Sequence, residues 1–177
     1  MYLLALILHS LYYISPAYCA NAFAVVFGGG KKIDGGRTWR GKRILGDGKT
    51  WRGLSFGILF GFLFGLMWFM LSQDGPLSET YFGFDFRITD PFFGLYLGVG
   101  ALVGDILSSF GKRQMGLRRG QSLPVVDQLD LVFGALVFAY LFAPMFVTAE
   151  QVICLAIITP AFHLVGNMIA YLVKKKD

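Results

Sequence analysis

Residues 91–110 read PFFGLYLGVGALVGDILSSF, and GKR follows at 111–113. The apolar run has the length of about 17 to 25 residues that a helix needs to cross the hydrocarbon core of a bilayer. Its only charged residue is Asp105, and Lys112 and Arg113 mark its end. An Asp within a span costs about 2.5 to 3.5 kcal/mol on insertion scales, so it normally persists because it has a use. The stretch therefore predicts a membrane-spanning helix with a functional carboxylate near one end.

Further apolar runs flank this stretch in a chain of 177 residues, of which 55% are hydrophobic and 15% charged. That composition is too apolar for an ordinary soluble domain. In lipid each segment must satisfy its own backbone polar groups, so the runs are predicted to be helices. We predict an all-α integral membrane protein with five transmembrane helices, folded as a single membrane domain over residues 1–177. The predicted spans are 2–27, 54–71, 91–110, 131–148 and 152–173, and the predicted cytoplasmic loops are 28–53 and 111–129.

The basic residues lie almost entirely on one side of these spans. Of the 16 Lys and Arg residues, all but Arg87 fall in the two predicted cytoplasmic loops or in the carboxyl-terminal tail. Cytoplasmic loops retain an excess of Lys and Arg. The pattern predicts an amino terminus outside, a carboxyl terminus inside and a Gly/Lys/Arg-rich cytoplasmic loop between spans one and two. We expect a multi-pass protein of the cell membrane with its active site on the cytoplasmic face.

Two spans carry glycines at helical spacing. They are Gly57, Gly61 and Gly65 in span two, and Gly94, Gly98, Gly100 and Gly104 in span three. Small residues at this spacing allow the backbones of membrane helices to approach closely. The pattern predicts close helix packing, either within the chain or in a homodimer.

The loop between spans one and two contains a short repeat, DGGRTWRG at 34–41 and DGKTWRG at 47–53. A Gly-rich backbone can approach phosphate oxygens, Lys and Arg supply positive charge, and Trp offers a flat face for a base. The same composition also suits a topology signal with Trp39 and Trp51 as interfacial anchors. Neither copy has the spacing of a P-loop. From the residues alone, both interpretations stay open.

Three carboxylates are predicted to meet at the cytoplasmic ends of two helices. If span three stays helical through Lys112, then Asp105, Ser108 or Ser109, and Lys112 share one face. Asp127 and Asp130 share a face in the same way. Ser122 is predicted to cap the fourth helix and Pro124 to lie in its first turn.

Clustered carboxylates without His or Cys suit a hard cation such as Mg²⁺, which also keeps water and substrate phosphate oxygens as ligands. Lys112, Arg113, Lys49 and Arg52 would meet those phosphates, and Asn21 would direct its amide into the same cavity. This set of groups is typical of phosphoryl or nucleotidyl transfer. The structural alternative is that Asp105 only pairs with Lys112 or with a basic residue of another span.

The residues resemble those of the archaeal CDP-archaeol synthase family, and more distantly those of the bacterial phosphatidate cytidylyltransferases. The resemblance covers nearly the whole chain. It is carried by Pro16-Ala17 with Ala20-Asn21, by GDGKTWRG at 46–53, by Gly104-Asp105 and SFGKR at 109–113, and by Pro124, Asp127, Gln128 and Asp130.

The resemblance implies a reaction of CTP with 2,3-bis-O-geranylgeranylglycerol 1-phosphate that yields CDP-archaeol and pyrophosphate and requires Mg²⁺. It implies that Asp105, Asp127 and Asp130 bind the metal and that Lys112 and Arg113 neutralise phosphate charge. The implied CTP-binding residues are Lys49, Thr50, Trp51, Arg52, Asn21 and Ser109.

Two other functions remain compatible with the residues. A CTP-dependent polyprenol kinase would need the same phosphates, metal and membrane access, but would release CDP instead of pyrophosphate. A small ion channel or transporter could also place Asp105 at the end of a span, without consuming CTP. The expected partners are CTP, the isoprenoid glycerol phosphate lipid and the bilayer, and no nucleic acid is expected.

Overall fold

The computed structural model describes residues 1–73, 80–81, 83–117, 124–142 and 147–174, with the backbone alone at 81, 124–128 and 162–174. The fold is mostly helical. The helices are α1 (Tyr2–Val26), α2 (Trp51–Leu71), α3 (Phe93–Gln114), α4 (Pro124–Phe142) and α5 (Ala149–Lys174). Two antiparallel hairpins of two-residue strands lie in the connections, β1 (Thr38–Trp39) with β2 (Lys42–Arg43) and β3 (Thr80–Tyr81) with β4 (Phe84–Asp85).

Three of the described helices, α1, α2 and α3, are long and apolar enough to cross a membrane. Two shorter apolar helical segments, Leu129–Phe142 and Ala149–Ala161, follow within α4 and α5. Each predicted apolar run therefore contains a helix. The presence of the two hairpins makes the fold mostly helical instead of strictly all-α.

Local interactions explain why α2 begins earlier, and α3 ends later, than the predicted spans. Helix α2 starts at Trp51, before the predicted residue 54, because the Thr50 side chain accepts a hydrogen bond from the Gly53 amide and caps the helix. Helix α3 runs through Lys112, as predicted, to Gln114. Lys112 and Arg113 in its last turn favour that extension, because cations stabilise the negative end of the helix dipole. The predicted cap Ser122 lies outside the described residues, whereas Pro124 does begin α4.

The glycines of α2 form its packing face. The residues that α2 buries are Gly53, Gly57, Gly61 and Gly65. A Cβ added to Gly61 would lie 2.9 Å from the Ala20 Cβ of α1, and one added to Gly65 would lie 2.3 Å from the Gly94 Cα of α3. The predicted close packing is confirmed, and these glycine contacts are made within the chain. The possible homodimer stays a prediction.

Helices α3 and α4 touch backbone to backbone. A Cβ on Gly104 would lie 2.2 Å from the carbonyl oxygen of Asp130, and a Cβ on Gly134 would lie 2.3 Å from that of Gly100. Asp105 follows Gly104 directly in the chain. The crossing therefore brings the segment that carries Asp105 against the segment that carries Asp130.

The β1–β2 hairpin docks on the end of α3. Arg40 and Gly41 form its turn with φ values of 51° and 75°, and an Arg at positive φ is unusual. Lys42 Nζ donates to the Gln114 carbonyl, and the rings of Trp39 and Phe110 stack with centroids 5.4 Å apart. The Gly-rich loop is thereby folded over the end of the bundle where α3 ends and α2 begins.

Candidate active site

The centre of the candidate site is an ion pair between the Gly-rich loop and α3. Lys49 Nζ lies 2.6 Å from Asp105 Oδ2. The two side chains keep 24% and 23% of their surface exposed, so the pair is reachable from outside. The sequence predicted both residues for the site, but it did not predict that they pair. The structure shows that the cation beside Asp105 is Lys49, which is 56 positions away in the chain.

The backbone of Lys49 is held on both sides. Its carbonyl accepts a hydrogen bond from the Ile33 amide at 2.9 Å, and the next residue, Thr50, forms an antiparallel bridge with Lys32. The Thr50 hydroxyl, itself buried, accepts from the amides of Gly53 and Gly29 at 3.2 Å each. Thr50 therefore joins the start of α2 to the end of α1 and positions Lys49 above Asp105.

Asp130 lies beside this pair. Its Oδ1 accepts a hydrogen bond from the Leu131 amide at 2.6 Å. Its carboxylate is close enough to Asp105 for repulsion and to Lys112 for attraction. The Ser108 hydroxyl is buried and lies next to the Asp130 carboxylate. The expected face of Asp105, Ser108 and Lys112 thus meets Asp130 from α4.

A small cavity of about 30 Å³ opens next to the ion pair. Its lining includes Asn21 of α1, Lys49 and Thr50 of the loop, and Asp105 of α3. The structure thus brings Asn21 together with the Gly-rich loop and Asp105 around one cavity. The start of α2 completes the lining, so the cavity is formed by α1, α2, α3 and the Gly-rich loop. Helix α4 adds Asp130 close to Asp105.

A buried carboxylate, Asp34, organises the Gly-rich loop. Its side chain has no exposed surface and accepts hydrogen bonds from the amides of Gly36, Leu45 and Gly46 and from Arg43 Nη2. Burial by itself would raise the pKa of Asp34, but these donors outweigh it and hold the pKa well below its usual range. Asp34 was not among the predicted site residues. The Asp-Gly-Gly turn signal at 34–36 is the feature of the sequence that points to it.

A second acidic residue ties the same loop together. Asp47 Oδ1 lies 2.5 Å from Lys32 Nζ and 3.2 Å from Arg43 Nη2. Its hydrogen bond to Lys32, followed by the charge of Arg43, lowers the pKa of Asp47. Arg43 thereby bridges Asp47 to the buried Asp34. Ion pairs therefore hold the segment before Lys49 together.

Two residues predicted to contact phosphate or CTP, Arg52 and Arg113, instead contact other parts of the chain in this structure. Arg52 donates to the carbonyls of Phe27 and Gly28 at the end of α1, at 2.8 and 3.0 Å. Arg113 donates to the Leu117 carbonyl, and its guanidinium lies against Gly46 of the loop. Trp51 is half exposed at the start of α2.

The remaining predicted residues are Ser109 and Asp127. Ser109 is buried in α3, 5% exposed. Asp127 belongs to α4, but its side chain lies outside the described residues.

The described carboxylates fit a hard cation in chemical type. Asp105 and Asp130 offer oxygen ligands, which Mg²⁺ prefers, and the site adds no His or Cys. Among described side chains, no group of three or more acidic, His or Cys residues forms a metal-binding cluster. Asp127 remains the predicted third carboxylate ligand.

A larger cavity of about 350 Å³ lies at the opposite end of the bundle. His9 of α1 bonds there to the Asp85 carbonyl at 2.8 Å and to Gln151 at 2.6 Å. Gln151 Oε1 accepts a hydrogen bond from the Thr148 amide, so the Gln151 Nε2 group faces His9 Nδ1 and donates to it. The ring proton of His9 therefore sits on its own Nε2, which donates to the Asp85 carbonyl. His9 and Gln151 thus join α1 to the start of α5 and to the β3–β4 hairpin. The predicted site residues Asn21, Lys49, Thr50 and Asp105 line the smaller cavity instead.

The fold and this site define a helical membrane protein that holds paired carboxylates and a loop lysine at one end of its bundle. The sequence profile of the CarS-like CDP-archaeol synthases matches residues 3–177. The chain belongs to the CDP-archaeol synthase family.

Relatives support this membership along most of the chain. The CDP-archaeol synthase of Methanosarcina barkeri is 50% identical over 170 residues, covering 91% of this chain and 97% of the relative. That of Methanosarcina mazei is 52% identical with the same coverage. A solved structure of an intramembrane enzyme for archaeal membrane lipids biosynthesis matches with a TM-score of 0.75 and 31% identity, over 92% of this chain and 94% of that chain.

Proposed function

We propose that this chain is a membrane cytidylyltransferase that forms CDP-archaeol and pyrophosphate from CTP and 2,3-bis-O-geranylgeranylglycerol 1-phosphate. The family and the names of its relatives support the reaction. The structural observation that carries the proposal is the Lys49–Asp105 pair beside Asp130, at the end of an apolar bundle. It combines phosphate-binding and metal-binding groups where a lipid phosphate and a soluble nucleotide can meet.

In the proposed reaction, an oxygen of the lipid phosphate attacks the α-phosphorus of CTP. The new P–O bond forms as the bond to the bridging oxygen of the β-phosphate breaks, and pyrophosphate leaves with that electron pair. This chemistry depends on positioning and charge neutralisation more than on a covalent nucleophile. Lys49, Lys112 and Arg113 would neutralise phosphate oxygens, and Asn21, Thr50, Trp51, Arg52 and Ser109 remain proposed CTP contacts.

We further propose that Mg²⁺ is the cofactor, held by Asp105, Asp127 and Asp130. The oxygen donors of the described pair support this assignment. When bound, the ion would neutralise charge on the triphosphate and favour attack at the α-phosphorus. In this proposal, Asp105 of α3 and Asp130 of α4 face the same metal-binding space from two different helices.

We place the site on the cytoplasmic face of the cell membrane. In this arrangement all five helices cross the bilayer, with the amino terminus outside and the carboxyl terminus inside. The positive charge of the loop before α2 supports the orientation. The lipid phosphate would enter sideways from the cytoplasmic leaflet, because its tails remain in the apolar core of about 30 Å.

The test is incubation of the detergent-purified protein with α-labelled CTP, Mg²⁺ and the digeranylgeranyl glycerol phosphate. We expect label in the lipid phase and an equal amount of pyrophosphate. Conversion of CTP to CDP without labelled lipid would instead indicate the polyprenol kinase. Untouched CTP with several lipid phosphates would favour the channel or transporter.

A further inference from the structure

We propose that Lys49 is an internal counterion that occupies Asp105 in the ligand-free protein and moves to the triphosphate when metal and CTP bind. The inference rests on the proposed function, since it concerns the same site. The exchange would couple the two ligands. In the empty site Lys49 competes with the metal for Asp105, and in the site with metal and CTP bound it contacts the nucleotide.

The position of Lys49 is suited to such an exchange. Its main chain is fixed by the Ile33 hydrogen bond before the start of α2, and by the Thr50 contacts that cap this helix. The ammonium, in contrast, is at the end of a flexible four-carbon stem. About a quarter of the side chain is exposed, beside the cavity lined by Asn21 and Asp105. The ammonium can therefore change partner while the loop stays in place.

The charges around Lys49 favour its pairing with Asp105 in the empty site and with the triphosphate when the ligands are bound. Asp105 and Asp130 repel one another, and the ammonium 2.6 Å from Asp105 Oδ2 offsets that repulsion. A metal ligated by Asp105 would compete with this ammonium for the same carboxylate. Displacing Lys49 alone leaves a cation without a partner, which costs free energy. An arriving triphosphate removes that cost by accepting the ammonium, so metal and nucleotide should each strengthen the binding of the other.

The experiment measures Mn²⁺ binding to the full-length, detergent-purified protein without nucleotide, from the electron paramagnetic resonance signal of free Mn²⁺. We expect Lys49→Met to lower the Kd for Mn²⁺ at least tenfold, because the internal competitor is gone. Lys49→Arg should bind Mn²⁺ as weakly as the unmodified protein. Lys49→Gln repeats the test with a polar side chain, and circular dichroism checks that each variant is folded.

The matched control is Lys32→Gln. Lys32 lies in the same loop but pairs with Asp47 at 2.5 Å, so this variant loses the same charge without freeing Asp105. Its Kd for Mn²⁺ should stay within about twofold of the unmodified protein. A similar decrease in Lys32→Gln and Lys49→Met would mean a general charge effect and would overturn the proposal.

The second measurement repeats the Mn²⁺ titration in the presence of CTP. In the unmodified protein CTP should lower the Kd for Mn²⁺, and in Lys49→Met this coupling should largely disappear. Equal Kd values for the unmodified protein and Lys49→Met without CTP would overturn the counterion role, while label transfer from CTP to lipid would leave the proposed function intact. An absence of Mn²⁺ binding in every protein would remove both the metal site and this inference.

Discussion

Asp105 and Asp130 reach the site from different helices, and each has a distinct set of contacts. Asp105 pairs with Lys49, whereas Asp130 accepts a backbone hydrogen bond from Leu131. Both carboxylates keep the negative charge that would hold a metal ion. Loss of either charge should therefore affect the reaction more than the fold.

The first prediction concerns these carboxylates. Asp105→Asn and Asp130→Asn should each lower turnover by about a hundredfold or more, the usual scale for loss of a group that stabilises transition-state charge. The measurement is release of pyrophosphate from CTP, with circular dichroism and extraction yield to show that the proteins are folded. Near-normal turnover in both variants would contradict the metal-site assignment.

The second prediction concerns Asp34, which acts at a distance from the phosphates. Asp34→Asn replaces a charged acceptor with an amide that faces backbone donors, so the loop should lose roughly 1.5 to 3 kcal/mol of local stability for each charged hydrogen bond that is lost. We expect a higher KM for CTP, a smaller change in kcat, and faster hydrogen exchange over residues 31–50. Asp85→Asn is the control, because the Asp85 side chain is exposed, accepts a hydrogen bond from the Arg87 amide and lies outside the Gly-rich loop. An unchanged exchange rate in Asp34→Asn would exclude the organising role.

The third prediction follows from the lowered pKa of Asp34. A depressed pKa means that ionised Asp34 stabilises the loop fully above its unfolded pKa of about 3.9, and that the stabilisation is lost as pH falls through the lower folded-state pKa. Hydrogen exchange of residues 31–50, corrected for intrinsic rates, should therefore show weaker protection below a pH of about 4. In Asp34→Asn the protection should already be low and should vary little across that range. The same acid-induced loss in both proteins would assign it to other groups.

At the scale of the elements, the crossing of α3 and α4 sets the separation of the carboxylates. Gly104 leaves no room for a Cβ, because the Asp130 carbonyl would lie only 2.2 Å away. Any side chain there must push the two helices apart by moving backbone, which a packed interior resists. The glycine is thus part of the geometry of the site as well as of the packing.

The fourth prediction tests that contact. Gly104→Ala should separate Asp105 from Asp130 and lower turnover by about tenfold or more, since small displacements of catalytic groups are costly. Gly111→Ala is the matched control in the same helix, because a Cβ there meets nothing within 4 Å and Ala favours helix. We expect Gly111→Ala to fold and react normally. Equal activity of the two variants would show that the crossing tolerates the methyl group.

At the scale of the whole molecule, charge distribution predicts the orientation in the membrane. The Gly-rich loop carries eight of the 16 Lys and Arg residues, whereas Asp85 and its neighbours lie at the other end of α1 and α3. In the proposed function the loop contacts CTP, so the proposal requires the loop to face the cytoplasm. The orientation and the reaction are therefore linked.

The fifth prediction tests this orientation with single cysteines in a background without Cys19 and Cys154. An impermeant maleimide added to intact cells should label Asp85→Cys and should not label Lys31→Cys, and both positions are exposed in the structure. Permeabilised cells, in which both should react, are the control. The reverse labelling would place the loop outside and would contradict the proposed access to CTP.

By itself, the sequence determined the membrane class, the helical segments and the residue types of the site. These properties follow from local hydropathy, from helical spacing and from the one-sided distribution of basic residues, all of which are readable along the chain. The pairing of Lys49 with Asp105 and the organising role of Asp34 were decided only by the tertiary structure. Both depend on how a Gly-rich loop folds over the end of a helix, and the energies of such contacts are set by burial and geometry between segments that lie far apart in the chain.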